Sequence, residues 1–244
     1  MLTKEYREYP ALSQSELKWI LYGAEEFRYH KENPTTSTDA QNIGSAVHLL
    51  LLQPELFFHH VIPLDKKLDK RTKESKELIE QNEGKILLNP DDFEKVTSIV
   101  DSIKENEDCR ALLAMCEEFE TVRYYSHKGL DFKAQLDAIG DNFILDLKTT
   151  TTLNNDRLIR NTIFNYGYHF QAASYLIAAQ KPIDNYFIIF VRTEPPYAVF
   201  PVRLSKELLD IGRSEFDRAC DLYIDCLVNN PEFKSNNKIK EIGL

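Results

Sequence analysis

A chain of 244 residues is short for two domains and ample for one, since domains cluster near ~100–150 residues and single ones reach ~250. Hydrophobic residues at 43% and charged ones at 28%, with 8 glycines and 10 prolines, exclude a disordered, fibrous or low-complexity chain. Lys plus Arg number 30 against 39 Asp plus Glu, and the net charge of −9 excludes coating nucleic acid by bulk attraction, though not a local contact through basic patches or bound cations.

The first residues carry no apolar run of the secretory kind, so the expected location is the cytoplasm. Leu12-Ser-Gln-Ser-Glu-Leu reads as a capped helix start, with Ser13 as N-cap and Glu16 as its capping-box partner. After a polar loop at 33–39, the apolar segment Ile43 to Leu52 predicts a helix buried on most of its circumference. The longest apolar run, Ala46 to Leu52, is broken by His48 and is far below the ~20 residues of a membrane span, so no membrane is expected as a partner. Residues 63–76 read as a basic loop, Lys66, Lys67, Lys70, Arg71, Lys73 and Lys76 against Asp65, Asp69 and Glu74. Lys70, Arg71, Lys73 and Lys76 are therefore candidate contacts for a phosphate backbone. Helices are predicted over Asp91 to Lys104 and Asp108 to Glu118. Cys109, Cys116, Cys220 and Cys226 form no Cys-x-x-Cys pair, and buried thiols are expected rather than an iron–sulfur site.

From Glu120 the period changes to two. Strands are predicted at 120–126, 130–137 and 143–148, divided by turns at His127-Lys-Gly129 and Gly140-Asp-Asn142. Helices return at 156–164 and 169–180, strands at 186–192 and 197–202, and Ser205 caps a last helix to about Leu227. This order predicts one α/β domain over 1–244, a central mixed β-sheet flanked by helices, with its core motifs at about 40–203 and the C-terminal helix at about 205–228.

The chemistry concentrates between Asp137 and Tyr175. On the strand Phe143-Ile-Leu-Asp-Leu-Lys, Asp146 and Lys148 share a face, and the preceding strand brings Asp137 to its end beside them. Two carboxylates and a carbonyl suit Mg²⁺ or Mn²⁺, and a lysine beside them can orient or deprotonate a water and offset charge. A surface salt bridge in an ordinary hairpin is the bland alternative. Gln171 and Tyr175, four apart on a helix, offer an amide and a phenol to a phosphate or a water. His48, one turn after Gly44, is either a hydrogen-bonded core residue or a metal ligand. Thr149 and Thr150 place hydroxyls at a strand end where phosphate oxygens could meet them.

Gly44-Ser-Ala-Val-His48, Gln135-Leu-Asp137, Ile144-Leu-Asp146-Leu-Lys148-Thr-Thr150 and Tyr168-His-Phe-Gln171-Ala-Ala-Ser-Tyr175 occur in an order that resembles the PD-(D/E)xK nuclease superfamily. Within it the chain is most similar to RecE-type (exonuclease VIII-like) exonucleases of phage and prophage recombination. The resemblance implies cations bound by Asp137, Asp146 and the Leu147 carbonyl, with His48 as a further ligand. It implies that Lys148 activates the water and that Gln171 and Tyr175 support the site near the scissile phosphate. Gln135 stands where relatives more often carry Arg or Lys, and the second acid is Asp146 rather than Glu.

The implied activity is exonucleolytic hydrolysis of double-stranded DNA from its ends, 5′ to 3′, in recombination beside a single-strand annealing protein. A catalytically silent DNA-binding scaffold and an endonuclease of the same chemistry are the competing readings. A ring-shaped homo-oligomer, trimer or tetramer, is also implied. The segment before Ser13 and Leu208, Leu209, Phe216, Leu222 and Leu227 of the last helix are its candidate interface.

Overall fold

The computed structural model describes residues 4–34, 38–69, 71–151, 155–180 and 183–234. The chain begins with α1 (Lys4–Glu8) and α2 (Gln14–Leu17), then a 3₁₀ turn and α3 (Ala24–Glu32). The expected capping box is present: Ser13 Oγ accepts the Glu16 N–H, and Glu16 Oε2 accepts the Ser13 N–H at 2.8 Å. α4 (Asp39–Leu52) starts on a second box, Thr38 with Gln41. It is followed by α5 (Phe57–His60), β1 (Val61–Pro63), α6 (Lys73–Gln81), β2 (Ile86–Leu88), α7 (Pro90–Glu105) and α8 (Glu107–Ala114). β1 and β2 pair in parallel, a small sheet whose three-residue strands are too short to show a period in the sequence.

The remaining elements are β3 (Cys116–His127), β4 (Leu130–Gly140), β5 (Phe143–Thr150), α9 (Asp156–Tyr166), α10 (Tyr168–Ala178), β6 (Asn185–Arg192), β7 (Val199–Arg203) and α11 (Lys206–Asn229). The five strands pair in the order β3-β4-β5-β6-β7. β5 and β6 are parallel and the other pairs antiparallel, which makes the expected mixed sheet. The parallel pair needs a long crossover, and α9 and α10 supply it.

Ile144, Tyr186, Ile188 and Phe190 pack on one face of the sheet against Phe170 of α10 and Phe216 of α11. On the other, Phe143, Leu145, Leu147 and Ile189 meet Val47 and Leu49 of α4 and Val96 and Ile99 of α7. The period-two alternation of β5 thus feeds both layers. α11 comes so close to α10 that a Cβ on Gly212 would lie 2.0 Å from the His169 carbonyl oxygen.

Several boundaries differ from the sequence reading. The helix expected over 108–118 stops at Ala114, because Cys116 and Glu118 pair with Gly140 and Ile139 as the start of β3; cross-strand pairing overrides the helical preference of the two glutamates. β4 runs on to Gly140, so Asp137 lies inside the strand and not at its end. The strand expected from Tyr197 begins at Val199, since Tyr197 has φ of 55°, outside any strand conformation. The expectation for α4 holds: Ala46, Val47, Leu49 and Leu52 are buried and Ile43, Leu50 and Leu51 partly buried against the same core, so from Ile43 to Leu52 only Ser45 is exposed.

The candidate interface residues divide. Phe216 is fully buried and Leu208 and Leu209 pack onto the core, whereas Leu222 and Leu227 are 37% and 47% exposed. Of the segment before Ser13, the described residues lie against the chain's own sheet: Leu12 bridges Phe132, and the buried Lys133 Nζ donates to the carbonyls of Tyr6, Arg7 and Tyr9 at 2.9, 3.0 and 2.8 Å. The four cysteines are free thiols, with Cys109 and Cys220 buried. Among the described residues no helix is long and apolar enough to cross a membrane.

Candidate active site

The β4–β5 ladder runs through Ile139↔Ile144 and Ala138↔Leu145. At Leu147 the amide proton goes instead to the Asp137 carboxylate, whose Oδ2 accepts it at 2.8 Å. That opening leaves room for a cleft of about 540 Å³, with His48, Glu120, Asp137, Leu147, Lys148 and Tyr175 among its lining residues. Gly44 and Thr149 line it as well. A Cβ on Gly44 would come within 3.1 Å of Thr149 Oγ1, so only a glycine lets α4 lie this near β5 without displacing that hydroxyl.

Asp146 is 1% exposed. Its Oδ1 accepts a hydrogen bond from Gln171 Nε2 at 2.8 Å, and its Oδ2 lies 2.6 Å from Lys148 Nζ. Burial raises the Asp146 carboxyl to about 6, with Lys148 opposing the shift and Asp137 adding to it. Burial works against the Lys148 charge, but the Asp146 and Asp137 carboxylates outweigh it and hold the ammonium above its ordinary range. Tyr175 stands one turn after Gln171, and burial beside Asp146 and Asp137 keeps its phenol protonated.

His48 enters from α4. Its Nε2 lies 3.0 Å from the Leu147 carbonyl oxygen; a carbonyl only accepts, so Nε2 carries the hydrogen. Nδ1 faces Glu120 Oε1 at 3.5 Å and Asp137 Oδ2 at 3.6 Å. Burial pulls His48 down, yet Asp137 and Glu120 prevail and raise it to about 9.

Glu120 is the site residue that sequence reading missed. His48, Glu120 and Asp137 each offer a ligand atom, all within 4.8 Å of one another. Glu120 Oε1 is buried without a hydrogen-bond partner, while Oε2 accepts from Gln135 Nε2. A buried carboxylate oxygen and an imidazole turned on two acids fit a hard divalent cation. The signal was available: counting seven rungs back from the turn that pairs His127 with Leu130 sets Glu120 opposite Asp137.

The structure therefore brings His48, Asp137, Asp146, Leu147, Lys148, Gln171, Tyr175 and Thr149 together. Thr150 lies farther along β5, where its carbonyl accepts the Thr193 N–H at 2.8 Å. The basic run is no continuous loop, because Lys73 opens α6. Arg71 forks onto Asp69 at 3.0 and 3.1 Å, and Lys73 lies 3.7 Å from Glu77. Lys76 is exposed, and Lys70 lies outside the described residues.

Residues 13–240 match the sequence profile of a PDDEXK-like domain of unknown function (DUF3799). The chain belongs to that family. Among solved structures, a candidate exonuclease from Eubacterium rectale is 14% identical with a TM-score of 0.63, over 100% of this chain and 96% of that one. A phage-related exonuclease from Haemophilus somnus 129PT is 15% identical with a TM-score of 0.40, over 91% and 97%. A search of curated proteins gives no match. The family and the first of these structures establish a PDDEXK-like fold for the five-stranded sheet and its helices.

Proposed function

We propose that this chain is a divalent-metal-dependent exonuclease of the RecE type, acting 5′ to 3′ on the ends of linear double-stranded DNA. The observation that carries the reading is the convergence of Asp137, Lys148, His48 and Glu120 on one open cleft, with Asp146 buried against Lys148. In this reading Asp137, Asp146, Glu120, His48 and the Leu147 carbonyl hold Mg²⁺ or Mn²⁺. Such a cation, when bound, neutralises phosphodiester charge and makes water a stronger nucleophile.

The chain's own residues do the rest. Lys148, gripped by Asp146, donates to a water or a phosphate oxygen and offsets the charge that develops there. The Asp146 and Asp137 carboxylates favour its charged form. Gln171 fixes the rotamer of Asp146, and Gln135 fixes that of Glu120. The protonated Tyr175 phenol and the Thr149 hydroxyl offer donors to phosphate oxygens in the cleft. A role in recombination beside a single-strand annealing protein belongs to the same proposal, as does a trimeric or tetrameric ring. The exposed Leu222 and Leu227 of α11 support the ring.

Incubation with end-labelled linear, nicked and closed-circular duplexes, with and without Mg²⁺, tests the activity. Loss of label from the linear duplex alone, abolished by chelation, is the expected result. Cleavage of the closed circle points to an endonuclease, and no cleavage of any substrate to a silent scaffold.

A further inference from the structure

We infer that a partly exposed aromatic track leads away from Lys148 and holds the unpaired bases of a single DNA strand. Lys148 Nζ lies 5.2 Å from the centre of the Tyr168 ring. Tyr168 stacks on Tyr166, with centroids 5.7 Å apart and planes 16° from parallel. Gly167 between them has φ of 71°, and this left-handed joint of α9 and α10 turns both rings the same way. The Tyr166 carbonyl accepts from Lys18 Nζ at 3.5 Å, and that ammonium sits 5.5 Å from the Trp19 ring centre. Trp19 in turn stacks on His30 at 3.5 Å and lies 5.6 Å from Tyr22.

Each step is shorter than about 6 Å, so two groups of side chains from distant parts of the sequence, joined through the Tyr166 backbone carbonyl, lie along one path. Its outer members are open to solvent: Tyr166 is 62% and Tyr22 67% exposed. Exposed aromatics gathered into one contiguous patch, rather than scattered singly, mark a surface that an occupant can use. The position names that occupant. This inference rests on the nuclease reading, because the track starts at the lysine assigned to the scissile phosphate. Whatever lies along it is then joined to a phosphodiester. In a duplex the base faces are hidden in the stack, so only unpaired nucleotides can use aromatic faces. Lys18, midway along, is placed to meet a phosphate between two stacked bases. His30 is engaged by Glu26 at 3.7 Å and serves only as the stacking partner of Trp19.

The test uses the full chain in chelator, so that nothing is cut. An oligothymidylate containing 2-aminopurine, the same strand with abasic sites, and a blunt duplex are compared by fluorescence and anisotropy. Quenching of 2-aminopurine is expected on binding. Tyr166→Ala and Tyr22→Ala should each weaken single-strand affinity roughly tenfold and leave the blunt duplex within about twofold, while Tyr166→Phe keeps wild-type binding. Two different surface positions guard against loss of fold in one variant. Unchanged affinity in both alanine variants overturns the track, as does an abasic strand that binds as tightly as the intact one. The two readings fail separately: inert wild-type protein with Mg²⁺ and linear duplex removes the nuclease, whereas the fluorescence arm needs no catalysis.

Discussion

Titrating Mn²⁺ into the chain near about pH 7.5 should release close to one proton per cation, and that proton should come from His48. The ring is raised to about 9 by Asp137 and Glu120, against burial that pulls it down. At this pH about 97% of the rings are then charged, compared with about a tenth for an ordinary histidine. A cation takes only the neutral ring, so binding must expel the proton. Asp146, raised to about 6 chiefly by burial, is ionised in all but about 3% of molecules at that pH and adds almost nothing. The sign follows: apparent metal affinity climbs about tenfold per pH unit up to about pH 9 and levels above it. Without metal, the same raised group stabilises the fold fully below about pH 6.5, and that contribution disappears as the pH passes through about 9. Isothermal titration calorimetry in buffers of different ionisation enthalpy reads the proton count directly. His48→Ala should bring it from near one to near zero. A wild-type count near zero, or the same count in His48→Ala, would falsify the assignment of His48 as a ligand held charged by its two acids.

Lys148→Gln should cut hydrolysis by roughly 10²–10⁴-fold and, because the ammonium opposes the upward shift of Asp146, should not lower the proton count on metal binding; near wild-type turnover in a folded variant would remove the lysine from the chemistry. Gly212→Ala drives a Cβ to 2.0 Å from the His169 oxygen, beyond what a rotamer change can relieve. It should lower unfolding free energy in urea by about 3 kcal/mol, and a loss below about 1 kcal/mol would mean that α10 and α11 can slide apart. Replacing Arg71, Lys73 and Lys76 by Ala should flatten the salt dependence of DNA binding by less than ~1 per residue, because Asp69 and Glu77 already engage two of them; an unchanged slope returns the run to plain surface. Light scattering at micromolar concentration should give a trimeric or tetrameric mass that Leu222→Glu with Leu227→Glu reduces to a monomer, and a monomeric wild type would refute the ring.

What was legible in the sequence was whatever one strand or one helix turn encodes. Asp146 and Lys148 fall on one face because a strand repeats every two residues, and the structure sets them 2.6 Å apart. Gln171 and Tyr175 fall on one face because a helix repeats near four. The mixed sheet followed from helices interrupting the strand order. Glu120 escaped because a period within its strand says nothing of the neighbour across the hairpin, although the turn register does. Its backbone, with φ of 49°, departs from the strand conformation that the pattern assumed. The basic run looked like one loop of net positive charge because composition does not show pairing: Arg71 spends its fork on a carboxylate two residues away.

The cleft itself is non-local. It exists because the strands around Asp137 and Asp146 part and Asp137 takes the Leu147 amide in place of a ladder bond. Its rim includes Tyr6 and Arg7 from the far end of the chain, held by a lysine on β4 that reads in sequence as one more polar strand residue. The aromatic track is the extreme case. Its two halves, residues 18–30 and 166–168, meet through Lys18 and the Tyr166 carbonyl, 148 positions apart. Neither half has a motif, and each tyrosine alone reads as an ordinary surface aromatic. Only their adjacency to Lys148 gives them a direction, so the surface that would receive the strand could be found only after the fold had placed the lysine.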